Sequence, residues 1–212
     1  MHARVRLTTG LGLICLTAAA IAVAPSAVAG GPGAAEAHSG RTCYSNLKHV
    51  DTFRTMSQNF AAVQGQYDSA AADDVDLRKA CTVTSIRVIG AYSVDGAVDS
   101  ETVTFYTANE GRPDKVISTQ TVAGTDLGGG SYDIDLQPVT LKKGISWVSV
   151  VANLNPDRGG QWYWTNSLTE RGAPAQWENP RGGWQYGCLT WTRIQQCLGS
   201  SPGQDLLFAL GK

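Results

Sequence analysis

This 212-residue sequence predicts an all-β fold, an antiparallel β-sandwich of jelly-roll type held by two disulfides. Three observations carry the prediction. After residue 80 no stretch sustains helical periodicity; short β-branched and aromatic runs alternate with turn residues instead. The connections are too short and too rich in Gly and Pro to hold the helical crossovers of a parallel sheet. Cys43, Cys81, Cys188 and Cys197 remain once the leader is removed, an even count that reads as two bridges in an exported chain.

Residues 1–29 set the expected compartment. Arg4 and Arg6 give a positive start, an apolar run follows over residues 11–24, and Ala27, Val28 and Ala29 close it with small side chains. That order is a secretory signal peptide cleaved after Ala29, because the apolar core is short for a membrane span of about 20 residues. Residues 30–42 are small, polar and aperiodic and are expected to be a flexible leader, with a single β-sandwich domain over residues 43–212. Two of the 17 basic residues and none of the 18 acidic ones lie in 1–29, which leaves a net charge of −3. With no run of Lys or Arg, this balance argues against nucleic acid or a membrane surface as partner, and a secreted monomer is expected.

The strands are expected in order. Residues 82–92 (TVTSIRVIGAY) place Ile86 and Val88 on one face. Residues 101–107 (ETVTFYT) turn Val103 and Phe105 inward and Thr102, Thr104 and Tyr106 outward. Residues 115–122, 131–137 and 145–152 continue the pattern, and 205–210 (DLLFAL) ends it. Breaks at 94–96, 110–113, 128–130 and 142–144 have turn chemistry. Residues 44–76 are the least regular: 49–60 suits a helical turn or a weak edge strand equally, and 73–77 leads into a first strand. Of three possible disulfide connectivities, Cys43–Cys81 and Cys188–Cys197 are favoured, since each closes a local loop; in the chain-entropy model each contributes roughly 3–4 kcal/mol.

Several segments together resemble a β-sandwich module of secreted bacterial proteins: Ser57-Gln58-Asn59-Phe60, Tyr67-Asp68, Ala72-Asp73-Asp74-Val75, Val103-Thr104-Phe105-Tyr106, Gly111-Arg112-Pro113, Gln161-Trp162-Tyr163-Trp164, Gln176-Trp177-Glu178-Asn179-Pro180 and Gly187-Cys188. The pattern is SQNF, YD, AADDF, VTFY, QWxNP and GC, and Val75 departs from it where Phe is usual. The resemblance implies the sandwich and an extracellular setting and brings no catalytic residues with it.

All six tryptophans fall between Trp147 and Trp191. Aromatic faces suit sugar rings, whose faces are apolar and whose rims carry hydroxyls. Trp162 and Trp164 share one strand face and are expected in the core, as is Trp147, and Trp191 is expected to pack on a disulfide. Trp177 and Trp184 lie in 173–187 (APAQWENPRGGWQYG), where Pro and Gly oppose a long strand. An exposed loop presenting both is the expected ligand platform, with Asn179, Arg181 and Gln185 bonding the rim of an extracellular polysaccharide or cell-wall glycan. Asp73, Asp74, Asp76 and Asp205 are expected near one another, where the first and last strands meet, as oxygen ligands suited to a structural Ca2+. An alternative reading is a small glycan hydrolase using Glu170 and Glu178 as its carboxylate pair. Another is a surface or matrix module without a small ligand. His49 lacks a nucleophile elbow to serve, and Gly128-Gly129-Gly130 lacks the rest of a phosphate loop.

Overall fold

The computed structural model describes residues 41–60, 62–94, 96, 98–154, 160–199 and 204–212. The expected signal peptide and nearly all of the expected leader lie outside the described residues. The described residues form β1 (Thr42–Ser45), β2 (Val50–Met56), β3 (Gln58–Asn59), β4 (Ala70–Leu77), β5 (Cys81–Val88), β6 (Gly90–Tyr92), β7 (Ser100–Asn109) and β8 (Arg112–Val122). They continue with β9 (Thr125–Gly128), β10 (Ser131–Leu141), β11 (Gly144–Asn153), β12 (Trp162–Ser167), β13 (Gln176–Glu178), β14 (Thr192–Arg193), β15 (Asp205–Leu206) and β16 (Phe208–Gly211). A 3₁₀ helix (Ala62–Tyr67) and a short α1 (Ile194–Leu198) interrupt them.

The fold is the predicted antiparallel β-sandwich. A five-stranded sheet runs β1-β16-β5-β10-β9, and a seven-stranded sheet runs β14-β13-β4-β11-β7-β8 with β3 attached to β11. A third sheet of four strands runs β15-β12-β2, with β6 on β12. The β3–β11 pair is parallel, an exception to the antiparallel expectation confined to two residue pairs. Cys43–Cys81 and Cys188–Cys197 are both bridged, with Cα separations of 6.1 and 5.9 Å.

Val83, Ile86, Val88, Ile134 and Leu210 of the five-stranded sheet meet Val75, Val103, Phe105, Val148 and Val150 of the seven-stranded sheet in one core. Trp162 and Trp164 join it as expected, and their indole N–H groups donate to Gly130 O (2.7 Å) and Leu207 O (3.0 Å). Residues 82–92 and 205–210 do not each form a single strand. Each passes from one sheet to another, at Ile89 and Leu207, and the Ile89 N–H donates to Leu207 O (3.1 Å). Gly90 follows the first of these switches against Gly130 O and the Trp162 indole, where a Cβ would overlap both.

The segment left open between helix and strand contains β1, β2, β3, the 3₁₀ helix and β4. Its buried positions in β2 are Asp51 and Thr55, so apolar alternation does not mark that strand. Gln58 is buried and ties three segments together: its Oε1 accepts from Trp162 N (2.6 Å), and its Nε2 donates to Leu154 O (3.4 Å) and Gly160 O (3.3 Å).

β4 is central to the seven-stranded sheet rather than the first strand of the fold, and this corrects the expected calcium site. Alternation along β4 sends Asp73 to the core side and Asp74 and Asp76 to the other. Asp73 accepts from Asp74 N (2.8 Å) and from Leu206 N (2.8 Å). Asp205 does lie beside Asp73 and accepts from Arg171 N (2.5 Å), whereas Asp74 accepts from Ala173 N (3.2 Å) and Asp76 is exposed. The four carboxylates therefore do not converge, and among the described residues no group of three or more His, Cys, Asp or Glu could hold a metal ion.

Burial, with like charge adding to it, holds the Asp73 carboxyl well above the usual carboxylate range. Burial likewise pushes Asp205 up to about 7 and Asp74 up to about 6. A carboxyl raised in the folded state binds its proton more tightly there than in the unfolded chain, so its stabilisation is complete in acid and lost as pH climbs through the raised value. The melting temperature should therefore fall as pH rises from about 4 to about 8, and Asp205→Asn should flatten that profile. A melt that strengthens with pH across this window contradicts the assignment. Separately, Gln58→Ala leaves Trp162 N without its acceptor and should lower unfolding free energy by about 2–4 kcal/mol in urea titration; a change within error would show that the clasp is dispensable.

Candidate functional site

The outer face of the seven-stranded sheet gathers polar and aromatic side chains where a sandwich needs neither. Register pairs Trp147 of β11 with Asp74 of β4 and Tyr106 of β7, and pairs Ser149 with Ala72 and Thr104. Gln176 of β13 pairs with Ala72, and Glu178 with Ala70. Residues paired across a ladder share a face, so these side chains turn away from the core that Val75, Val103, Phe105 and Val148 fill on the other side.

Trp147 is fully buried, as expected, yet it lies on the face opposite the cluster that fills the space between the sheets. Chain crossing the outer face covers this region: Gly172 (φ 92°) is seated on the Asp74 carboxylate, leaving no room for a Cβ. Trp191 packs edge-on against Tyr106, with ring centroids 5.8 Å apart. Beneath this cover four polar atoms are buried without a hydrogen-bond partner: Trp147 Nε1, Ser149 Oγ, Gln176 Oε1 and Asp74 Oδ1. Gln176 does use its other end, Nε2 donating to Pro174 O (2.7 Å). Leaving a buried polar atom unpaired costs about 1–3 kcal/mol, so four on one face mark it as a place built for something other than packing.

The face opens toward Glu178. A pocket of ≈ 260 Å³ is lined by Asn59, Asp68, Ser69, Ala70, Glu178, Pro180 and Arg181. Asn59 Nδ2 donates to Asn153 Oδ1 (2.8 Å), and Asn153 Nδ2 donates to Ser100 Oγ (3.1 Å) and Thr102 Oγ1 (3.0 Å). Burial raises the Glu178 carboxyl to about 7. The Tyr106 hydroxyl is raised by burial and further by the Glu178 charge, which places the two in one electrostatic environment.

The expected platform of Trp177 and Trp184 is not formed. Trp177 lies in β13, fully buried on the core side, and its Nε1 donates to Met56 O (2.8 Å). Trp184 is half-buried, donates Nε1 to Tyr67 O (2.8 Å) and packs against Tyr67 (5.2 Å) and Phe60 (6.4 Å). Asn179 is buried: Nδ2 donates to Gln66 O (2.9 Å) and Asp68 O (2.7 Å), and Oδ1 accepts from Trp184 N (3.0 Å). The loop thus fastens Trp177 to β2 and spends the Trp184 indole and the Asn179 amide on the 3₁₀ helix and the residue that follows it, so the two tryptophans do not form a shared exposed platform. Gln185 (φ 59°) is an exposed turn residue. Arg181 lines the pocket that Glu178 also lines.

Glu170 and Glu178 are not brought together by any observed contact. Glu170 is exposed and acts on Asp205, while Glu178 acts on Tyr106. Sequence reasoning passed over Trp147, Ser149, Gln176 and Asn59 as site residues. The signal was present for two of them, because Trp147 and Ser149 continue the outward alternation that Thr102, Thr104 and Tyr106 begin on the neighbouring strand.

No protein-family model and no curated protein matches the chain. Among solved structures the chain is similar to the cysteine protease and lectin-like domains of Cwp84, a surface-layer-associated protein of Clostridium difficile, at 13% identity and a TM-score of 0.45. The match covers 67% of this chain and 31% of that one.

Proposed function

We propose that this protein is an extracellular β-sandwich module that binds glycan non-catalytically on the outer face of its seven-stranded sheet. The observation that carries the reading is the set of buried, unpaired hydrogen-bonding atoms of Trp147, Ser149 and Gln176 in register beside the Tyr106 and Trp191 rings. A sugar offers the matching chemistry: hydroxyls that both donate and accept, and a ring face that packs on an aromatic. The ligand enters at the pocket lined by Asn59, Glu178 and Arg181, runs along the outer face toward the covered groups and packs on the Trp191 ring. Both disulfides fit an oxidising compartment, and no helix among the described residues is long and apolar enough to cross a membrane.

The test is retention of oxidised protein on insoluble chitin, cellulose and peptidoglycan. Trp191→Ala and Glu178→Gln should each weaken retention about tenfold, the loss expected for one ring contact or one charge-assisted hydrogen bond. Trp177→Ala should instead unfold the chain. Retention of wild type that neither Trp191→Ala nor Glu178→Gln reduces would remove the outer face as the site. Binding should also weaken as pH falls through about 7, where Glu178 takes up its proton and loses the charge that strengthens its hydrogen bond to the ligand.

A further inference from the structure

Two tight turns at one end of the sandwich each carry a pair of cations, Arg78 with Lys79 and Lys142 with Lys143. The first joins β4 to β5 and the second joins β10 to β11. Because β4 pairs with β11 (Leu77 with Gly144) and β5 pairs with β10 (Cys81 with Leu141), the two turns lie side by side. Arg41 and Lys212 flank them, held together by the Lys212 N–H donating to Arg41 O (3.1 Å) next to the Thr42 and Gly211 pair. All six cations are exposed, and none forms a salt bridge with a described residue. Arg41, Arg78, Lys79 and Lys212 line a groove of ≈ 580 Å³ together with Asp76. The sequence shows no basic run because the two pairs are far apart in the chain; the sheet pairing alone assembles them.

We infer that this end is a second binding surface, specific for an acidic glycan, with the two turns and the paired Arg41 and Lys212 contacting its anionic groups. Charge complementarity supplies the attraction, and it is local, since the chain outside the expected signal peptide is slightly acidic overall. A sugar polymer is favoured over other polyanions by the groove itself. Asp76 places a carboxylate among the cations, where it accepts from hydroxyl donors, which each ring of a sugar polymer carries and a DNA phosphodiester backbone lacks. No aromatic side chain lines the groove, so it offers no stacking surface for unpaired bases. The inference shares the glycan class with the reading above and is independent of it in site.

The experiment compares binding of the full oxidised protein to polygalacturonate and to its methyl ester, with duplex DNA and phosphatidylglycerol vesicles as other polyanions. Polygalacturonate should bind at about 50 mM NaCl and weaken about tenfold or more by 300 mM, as screening of exposed charges requires. The methyl ester should not bind this surface. The combined variant Arg78→Gln, Lys79→Gln, Lys142→Gln, Lys143→Gln should lose polygalacturonate at least tenfold with an unchanged melting temperature, whereas Glu178→Gln should leave that binding intact. Equal binding of the methyl ester, an unaffected quadruple variant, or tighter binding of DNA or vesicles than of polygalacturonate would overturn the inference. Loss of neutral-glycan retention alone would count against the outer face and leave the basic end standing.

Discussion

Two adjacent carboxylates in β4 hold the parts of this molecule in relation to one another. Asp73 turns inward and accepts the backbone N–H of Leu206, fixing the point where the chain leaves the four-stranded sheet for the five-stranded one. Asp74 turns outward and accepts the N–H of Ala173, fixing the segment that crosses the outer face. Strand alternation makes this division of labour unavoidable: neighbours along β4 cannot serve the same side. What looked like a cluster of cation ligands is a pair of anchors working in opposite directions.

That arrangement also explains why part of the outer face of the seven-stranded sheet is buried as well, with a character different from the inner one. The inner face is apolar and close-packed. The outer face is covered by chain only because Asp74 and the absent side chain of Gly172 allow the backbone to descend onto it. Cover without apolar filling leaves Trp147, Ser149 and Gln176 shielded from water and unpaired, a condition that natural cores avoid and binding faces tolerate.

Much of the fold was legible because apolar period and turn chemistry are local. Val103 and Phe105 point inward and Thr102, Thr104 and Tyr106 outward as their alternation dictates, and both disulfides close the short loops that spacing favours. Legibility failed where the deciding interaction was distant. β2 buries Asp51 and Thr55, so its inward positions carry no apolar mark. Nothing near Leu207 announces a change of sheet, since Leu206 and Phe208 on either side are apolar, and at Ile89 the one local mark is the glycine that follows it. The site fared worse for a related reason. A tryptophan in a Gly- and Pro-rich stretch reads as displayed, but Trp177 is drawn inward by β4, and Trp184 finds its acceptor on a helix more than a hundred residues earlier. Conversely Trp147 sits among valines and reads as core, though its face is decided by register with Asp74 and Tyr106.

The switches at Ile89 and Leu207 have a mechanical side. β5 continues into β6 and β15 into β16, so the same two stretches of backbone are shared between the five-stranded and four-stranded sheets and are bonded to each other at the crossing. Neither of those sheets can come apart without dragging two strands out of the other. Amide protons in both should then exchange with solvent through one common opening event, and the layers of this sandwich form a single cooperative unit rather than stacked leaves.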